Sequence, residues 1–312
     1  MGSEVFVLPP ITQIKRHMSR CREILVEGKY DIIHDNSLLI TYPMMSISTD
    51  IVKIRILHSH NSKFGDASLK AIRNKLFFPL LLKTANHYTA CSPLAGQTLF
   101  KDKHFDVIPN IINVSSFKFN SVTREKIREM YNCRDKIVVG SVGRMTEQKN
   151  PFFAVDVMEK VIAAIPNVEY WWIGSGNLDQ KIRRYIEKKD LLNKIKLFGS
   201  RNDANELLQG MDLFFLPSRF EGFCYACLEA QAAGLQCVVS DCLPKDVDVS
   251  GNVSFVSLKD STDRWIEEVI SNLNKKIGRQ VAYGAVEDSV YVADKCNNAL
   301  SNLYFKLVAK AM

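Results

Sequence analysis

Between Lys136 and Val256 the chain alternates short apolar runs with stretches of helical period, and this alternation narrows the possible folds more than any other feature. The runs are KIVVGSV (136–142), VEYWWI (168–173), KIKLF (194–198), DLFFLP (212–217) and QCVVS (236–240). A strand that is apolar on both faces must be covered on both, so these five are predicted to form a parallel sheet with helices packed on either side. Helices are predicted in the gaps: 152–165, with Pro151 in its first turn and Pro166-Asn167 as its stop; about 178–189; a short one from Asp203 as N-cap to Gln209; and 223–233, before Gly234. The product is a doubly wound α/β domain, whose ligands belong beyond the carboxyl ends of the strands. Arg144, Gly174, Gly199, Ser218 and Glu221 occupy those ends.

The first half reads as a shorter α/β region. YDIIHD (30–35), VKIRILHSH (52–60) and YTACS (88–92) are predicted strands, with basic helical stretches at about 11–27 and 66–84. FDVIPN (105–110) ends in a Pro-Asn turn, and 113–132 reads as a polar connection and a charged helix. The boundary is therefore expected near 130, giving domains 1–130 and 131–284. The segment 285–312 is expected to be a helix whose Tyr/Leu/Phe stripe packs, with the first domain as its partner.

Composition excludes several classes. Hydrophobic residues at 46% and charged residues at 24% are ordinary for a globular chain, which removes disorder, collagen-like repeats and coiled coils. No apolar run reaches the roughly 18 residues of a membrane helix, and Met1-Gly2-Ser3-Glu4 lacks a signal-peptide pattern, so a cytoplasmic protein is expected. Residues 1–130 hold 18 Lys and Arg against 11 Asp and Glu, which accounts for the whole net charge of +7. Such a bias suits phosphate, nucleic acid or an anionic membrane, and a merely solubilising surface is the plain alternative. RNA-binding signatures are absent, so no nucleic acid is expected. The eight cysteines are expected to be reduced. Zinc at Cys224, Cys227, Cys237 and Cys242 fits the spacing poorly, and no metal is expected.

Three constellations carry charge to strand ends. Glu221 and Glu229 stand eight residues apart, one in a loop and one inside the next helix. At ~1.5 Å per residue they are about 12 Å apart, too far for an acid/base pair on one bond but suited to a ligand lying along the helix start. A nucleoside diphosphate-sugar has that shape: its phosphates take the helix N-terminus, and the two carboxylates take hydroxyls at either end. Gly222 allows close backbone approach. Arg144 and Lys149 straddle a strand-to-helix turn after Gly143 and are placed to neutralise a diphosphate; solvated loop cations are the alternative. His58-Ser59-His60-Asn61 and His34-Asp35 end two strands of the first half, where histidines donate to hydroxyls or phosphate or serve structure alone. Gly174-Ser175-Gly176 lacks the third glycine of a dinucleotide fingerprint, and neither a P-loop nor a serine-hydrolase elbow is present.

Taken together, these residues resemble the retaining, nucleotide-sugar-dependent glycosyltransferases of GT-B fold that bear an E-x7-E motif, especially bacterial capsular and exopolysaccharide members. The landmarks are KIRILHSHNS (53–62), YTACSPLAGQTLF (88–100), VIPNIIN (107–113), VGRMTEQKNP (142–151), WWIGSGNL (171–178), the block 197–241, and 251–265 ending at Trp265. The block 197–241 is highly specific, and the N-terminal landmarks are looser. The resemblance implies two Rossmann-like domains facing a cleft. It implies that Arg144 and Lys149 hold the donor diphosphate, that Glu229 binds the ribose, and that Glu221 touches the donor sugar. Gly222, Phe223 and Cys224 would present backbone at the helix start, Gly143 would border the diphosphate, and Gly199, Ser200 and Arg201 would border the base. His58, with His60, would reach the sugar. It further implies no metal or cofactor, a UDP-sugar co-substrate, and a glycan or lipid-linked acceptor in cell-surface polysaccharide synthesis, with the basic first domain touching an anionic membrane.

Departures from the family pattern are Ile111-Ile112-Asn113 for Gly-Ile-Asp and Phe223-Cys224 for Leu-Pro; neither removes a charged group. The family's opening strand and glycine-rich loop have no counterpart, so the first domain is expected to be incomplete. Two alternatives follow: a donor-binding but inactive remnant or partner subunit, and a nucleotide-sugar epimerase on the same fold.

Overall fold

A computed structural model describes residues 4–60, 68–275 and 278–311. Asn61 of the histidine constellation lies outside the described residues. The chain divides into two compact units, one of residues 1–109 with 297–312 and the other of residues 110–296.

The first unit runs α1 (Ile14–Gly28), β1 (Ile32–Asp35), α2 (Tyr42–Ser48), β2 (Ile54–Ser59), α3 (Ser68–Thr84), β3 (His87–Ala90), α4 (Pro93–Phe100) and β4 (Asp106–Val107). Its strands form a parallel sheet in the order β1-β2-β3-β4. Ile54, Ile56 and Leu57 of β2 are buried, as are Cys21, Leu25, Met45 and Leu81 of the helices. FDVIPN, expected to end in a Pro-Asn turn, contributes the short strand β4 before Pro109. The proline follows the last paired residue, where its missing N–H removes no ladder bond.

The second unit continues with α5 (Ser121–Met130), β5 (Ile137–Val142), α6 (Pro151–Ala164), β6 (Val168–Ile173), α7 (Asp179–Lys188), β7 (Ile195–Gly199) and α8 (Ala204–Gly210). It then runs through β8 (Leu213–Leu216), α9 (Tyr225–Ala232), β9 (Gln236–Ser240), β10 (Val253–Val256), α10 (Thr262–Leu273) and α11 (Arg279–Glu287), and into α12 (Ala293–Ala311). All five predicted strands are present, and β10 makes a sixth. They pair in parallel in the order β10-β9-β8-β5-β6-β7, so the winding reverses between β5 and β8. Tyr170, Trp171, Trp172, Phe214 and Phe215 are fully buried between the helix layers, and Trp265 of α10 closes the core with its indole N–H on Ser257 O at 3.0 Å.

The boundary expected near 130 is corrected to 109/110. Residues 113–132 are not a linker, because α5 docks on α8 through its charges. Arg124 meets Asp212 at 2.5 Å, Arg128 meets the same carboxylate at 3.1 Å, and both donate to backbone carbonyls in 209–211. The segment 285–312 is likewise not one helix: α11 ends at Glu287, Ile112 bridges Val292, and α12 begins at Ala293. Asp203 does stand at the N-cap of α8, but it makes no side-chain cap; Arg201 takes its carboxylate at 2.8 and 2.6 Å.

Gly174 sets the loop after β6. It adopts φ +130°, and a Cβ there would stand 2.1 Å from the carbonyl oxygen of Gly143. Gly174→Ala is expected to destabilise the chain by about 1–3 kcal/mol from the backbone conformation alone, with the clash in addition. Denaturant unfolding measures this, and an unchanged midpoint would contradict it. Among the described residues no helix is long and apolar enough to cross a membrane.

Candidate functional site

The winding reverses between β5 and β8, and the region beyond their carboxyl ends is the usual ligand position in a doubly wound sheet. The loop after β5 carries Gly143, Arg144, Gln148 and Lys149; the loop after β8 carries Glu221 and leads into α9. A backbone bond from Arg219 N to Gln148 O (2.8 Å) ties the two loops together. A Cβ at Gly143 would stand 3.0 Å from Lys149 Cε, so the glycine leaves room for the lysine stem. Trp172 donates to Gly143 O at 3.0 Å and holds the strand end in place.

Lys149 Nζ donates to Glu221 Oε1 at 2.7 Å, and their side chains are only 12% and 5% exposed. Gln148 Nε2 donates to Glu221 Oε2 at 3.3 Å and to Phe220 O at 3.1 Å, while its Oε1 accepts from Arg144 at 3.5 Å. Burial works to lower the Lys149 pKa, but Cys224 and Glu221 more than offset it, and the net shift is upward. The Cys224 thiol is itself pushed well above its usual range by burial, so Glu221 supplies the counter-charge at neutral pH. Lys149 is therefore a fixed, protonated cation. Arg144 is exposed.

Glu229 lies half-buried within α9. Burial raises its pKa, partly opposed by the field of Lys149. The N-cap residue of α9, Cys224, makes no side-chain cap, and the helix start points its dipole toward the loop that carries Glu221. Phe223 is buried against Tyr291 and Tyr225, with ring centroids at 4.9 and 5.4 Å, so its side chain packs and only its backbone can serve a ligand.

The loops after β6 and β7 are joined next to it. Gly174 N donates to Gly199 O at 2.8 Å, and Ser200 N donates to Ser175 Oγ at 2.9 Å. Arg201 is fork-bonded to Asp203 at the surface. The second unit thus places Gly143, Arg144 and Lys149 in the loop after β5, Glu221, Gly222 and Cys224 in the joined loop after β8, and Glu229 in the helix that follows, with Gly199 to Arg201 at the end of β7. His58 and His60 belong to the first unit, where they gather with His34: the rings of His58 and His60 have centroids 4.3 Å apart, and those of His34 and His58 lie at 5.4 Å. Charge patterns did not reveal Gln148. An uncharged amide gives no electrostatic signal, though it lies inside the VGRMTEQKNP landmark. Among the described residues no three His, Cys, Asp or Glu side chains gather as metal ligands do.

A family model described as glycosyl transferases group 1 matches residues 123–280, about half of the chain. The chain is 25% identical over 285 residues to the putative glycosyltransferase EpsF of Bacillus subtilis (strain 168), covering 86% of this chain and 73% of that protein. It is 27% identical over 284 residues to the UDP-Gal:alpha-D-GlcNAc-diphosphoundecaprenol alpha-1,3-galactosyltransferase of Escherichia coli, covering 82% of this chain and 72% of that one. Among solved structures, Anabaena Alr3699/HepE in complex with UDP-glucose superposes with a TM-score of 0.80 at 18% identity, over 97% of this chain and 85% of that one.

Proposed function

The chain belongs to the glycosyl transferases group 1, and from that premise we propose that it moves a sugar from a UDP-sugar to a glycan or lipid-linked acceptor, with retention at the anomeric carbon, in cell-surface polysaccharide synthesis. It is a glycosyltransferase of GT-B fold, built from two parallel Rossmann-like units, as its sequence led one to expect. The observation that carries the donor reading is the convergence at the β5/β8 reversal of the exposed Arg144, the half-buried Lys149 and the N-terminus of α9.

Arg144 and Lys149 bind the two phosphates, and Glu221 with Gln148 holds the ammonium in place. The α9 N-terminus adds its dipole, so the diphosphate charge is offset without a metal. Glu229 accepts from the ribose hydroxyls, Glu221 borders the sugar, and Gly199 to Arg201 border the base. In the transfer, the bond between the anomeric carbon and the phosphate oxygen breaks. The acceptor oxygen bonds the same face of that carbon, and the acceptor proton passes to the departing diphosphate. The name of the Escherichia coli relative carries UDP-Gal and a diphosphoundecaprenol-linked sugar, and the Anabaena protein was solved with UDP-glucose; both support this donor and acceptor class.

The first unit supports a membrane-apposed acceptor. Redrawn on the observed boundaries, it holds 16 Lys and Arg against 9 Asp and Glu. It also bears an apolar cavity of about 470 Å³ lined by Ile11, Leu39, Ile40, Tyr42, Phe77 and Leu80.

A thermal-shift panel of UDP-, GDP-, dTDP- and ADP-sugars tests the donor reading. A ligand at a hundred times its Kd stabilises by about 2.7 kcal/mol, a rise of several degrees. The UDP-sugars are expected to produce it. No rise with any member of the panel would contradict the reading.

A further inference from the structure

Four side chains from four elements of the first unit form one continuous row. Tyr304 Oη of α12 lies 2.6 Å from His34 Nδ1 of β1, His34 Nε2 lies 3.3 Å from Thr89 Oγ1 of β3, and Thr89 Oγ1 lies 2.9 Å from His58 Nδ1 of β2. The row ends at His58 Nε2, which is buried and has no hydrogen-bond partner among the described residues. His58 is 4% exposed. An orphaned ring nitrogen in so buried a side chain calls for a reason, since buried polar atoms are nearly always paired.

Both imidazoles are neutral near pH 7. Burial, reinforced by His60, pulls His34 down to about 4, and burial with His60 and His34 pulls His58 down to about 3. A neutral imidazole has one donor and one acceptor, and a hydroxyl has one proton and two acceptor positions; among the described residues Thr89 Oγ1 meets only the two rings, so its proton stays within the row and the row is polarised in one of two directions. In one, Tyr304 donates to His34 Nδ1, His34 Nε2–H donates to Thr89, Thr89 donates to His58 Nδ1, and His58 Nε2 carries a hydrogen. In the other, every bond is reversed and His58 Nε2 is a bare acceptor. A phenol is the better donor and an imidazole nitrogen the better acceptor of the Tyr304–His34 pair, and 2.6 Å is a short, strong contact. Burial moves the Tyr304 pKa upward, which keeps that proton on the phenol.

We infer that Tyr304, through His34 and Thr89, fixes His58 as the Nε2–H tautomer, so that the first unit presents a single directed N–H donor to an oxygen of a sugar hydroxyl or phosphate. Tyr304, His34 and Thr89 are positioning residues. The last step, donation to a ligand oxygen, rests on the proposed function; the tautomer itself does not.

Two-bond proton–nitrogen NMR of histidine-labelled protein at pH 7 reads the tautomers directly, without substrate. His58 and His34 are both expected as Nε2–H. Tyr304→Phe and Thr89→Val are expected to collapse a His58 tautomer ratio of roughly ten or more toward one, and Thr89→Ser to preserve it. Finding His58 as Nδ1–H in the unaltered protein, or unchanged in Tyr304→Phe, overturns the inference. If Tyr304→Phe fails to fold, the Thr89→Ser and Thr89→Val pair decides by the same readout. Expected tautomers without sugar transfer by the unaltered protein would leave the row standing and remove the functional reading. Transfer with His58 as Nδ1–H would do the reverse.

Discussion

Arg144→Ala is expected to lower sugar transfer by about 10²–10³-fold, the usual loss when one preorganised donor to a developing negative charge is removed. In the proposed reaction that charge forms on the diphosphate as it departs. Arg144 is the cleaner probe because its side chain is exposed at the strand end. Lys149 is not clean, since its removal would strand the Glu221 carboxylate, 5% exposed, at about 3–5 kcal/mol of fold stability. The same assay repeated with EDTA should change by less than about twofold if, as proposed, two cations and a helix N-terminus offset the diphosphate charge. A strong EDTA effect beside a mild Arg144→Ala effect would reverse this assignment.

Much of the second unit is legible in its amino acids because parallel strands buried on both faces write themselves as apolar runs. VEYWWI and DLFFLP match β6 and β8 almost residue for residue. The strand order is not written in any such run. It emerges from the pairing of β5 with β8 across more than seventy residues, and that pairing is what brings the loops of Lys149 and Glu221 together. The boundary was misplaced for a related reason. Residues 113–132 read as a polar connection and a charged helix, because Asp212, the partner of Arg124 and Arg128, is 88 and 84 positions away.

The candidate site was legible where charge stands at a strand end. Arg144, Lys149, Glu221 and Glu229 are ionisable groups in turns or at a helix start, and such positions are visible in one dimension. The neutral partners were not. Gln148 has no charge to mark it, and Thr89 and Tyr304 reach His34 and His58 only because β3 lies beside β2 and α12 returns to the first unit. The reading of Asp203 as a helix cap shows the opposite error: the position was right, but Arg201, two residues earlier, competes for the carboxylate and takes it.

The claim on which the account turns is that the second unit clasps a nucleoside diphosphate between its cations and the ribose-binding Glu229. Two ribose hydroxyls donating to a carboxylate contribute about 1.5–3 kcal/mol each, so Glu229→Ala should weaken UDP binding at least about 10²-fold. Alanine suits the helical position of residue 229, so the unliganded fold should be unaffected. Calorimetric titration of UDP into the unaltered and Glu229→Ala proteins decides the matter. Binding is expected for the first and none measurable at the same concentrations for the second; equal affinity in both would rule out the clasp.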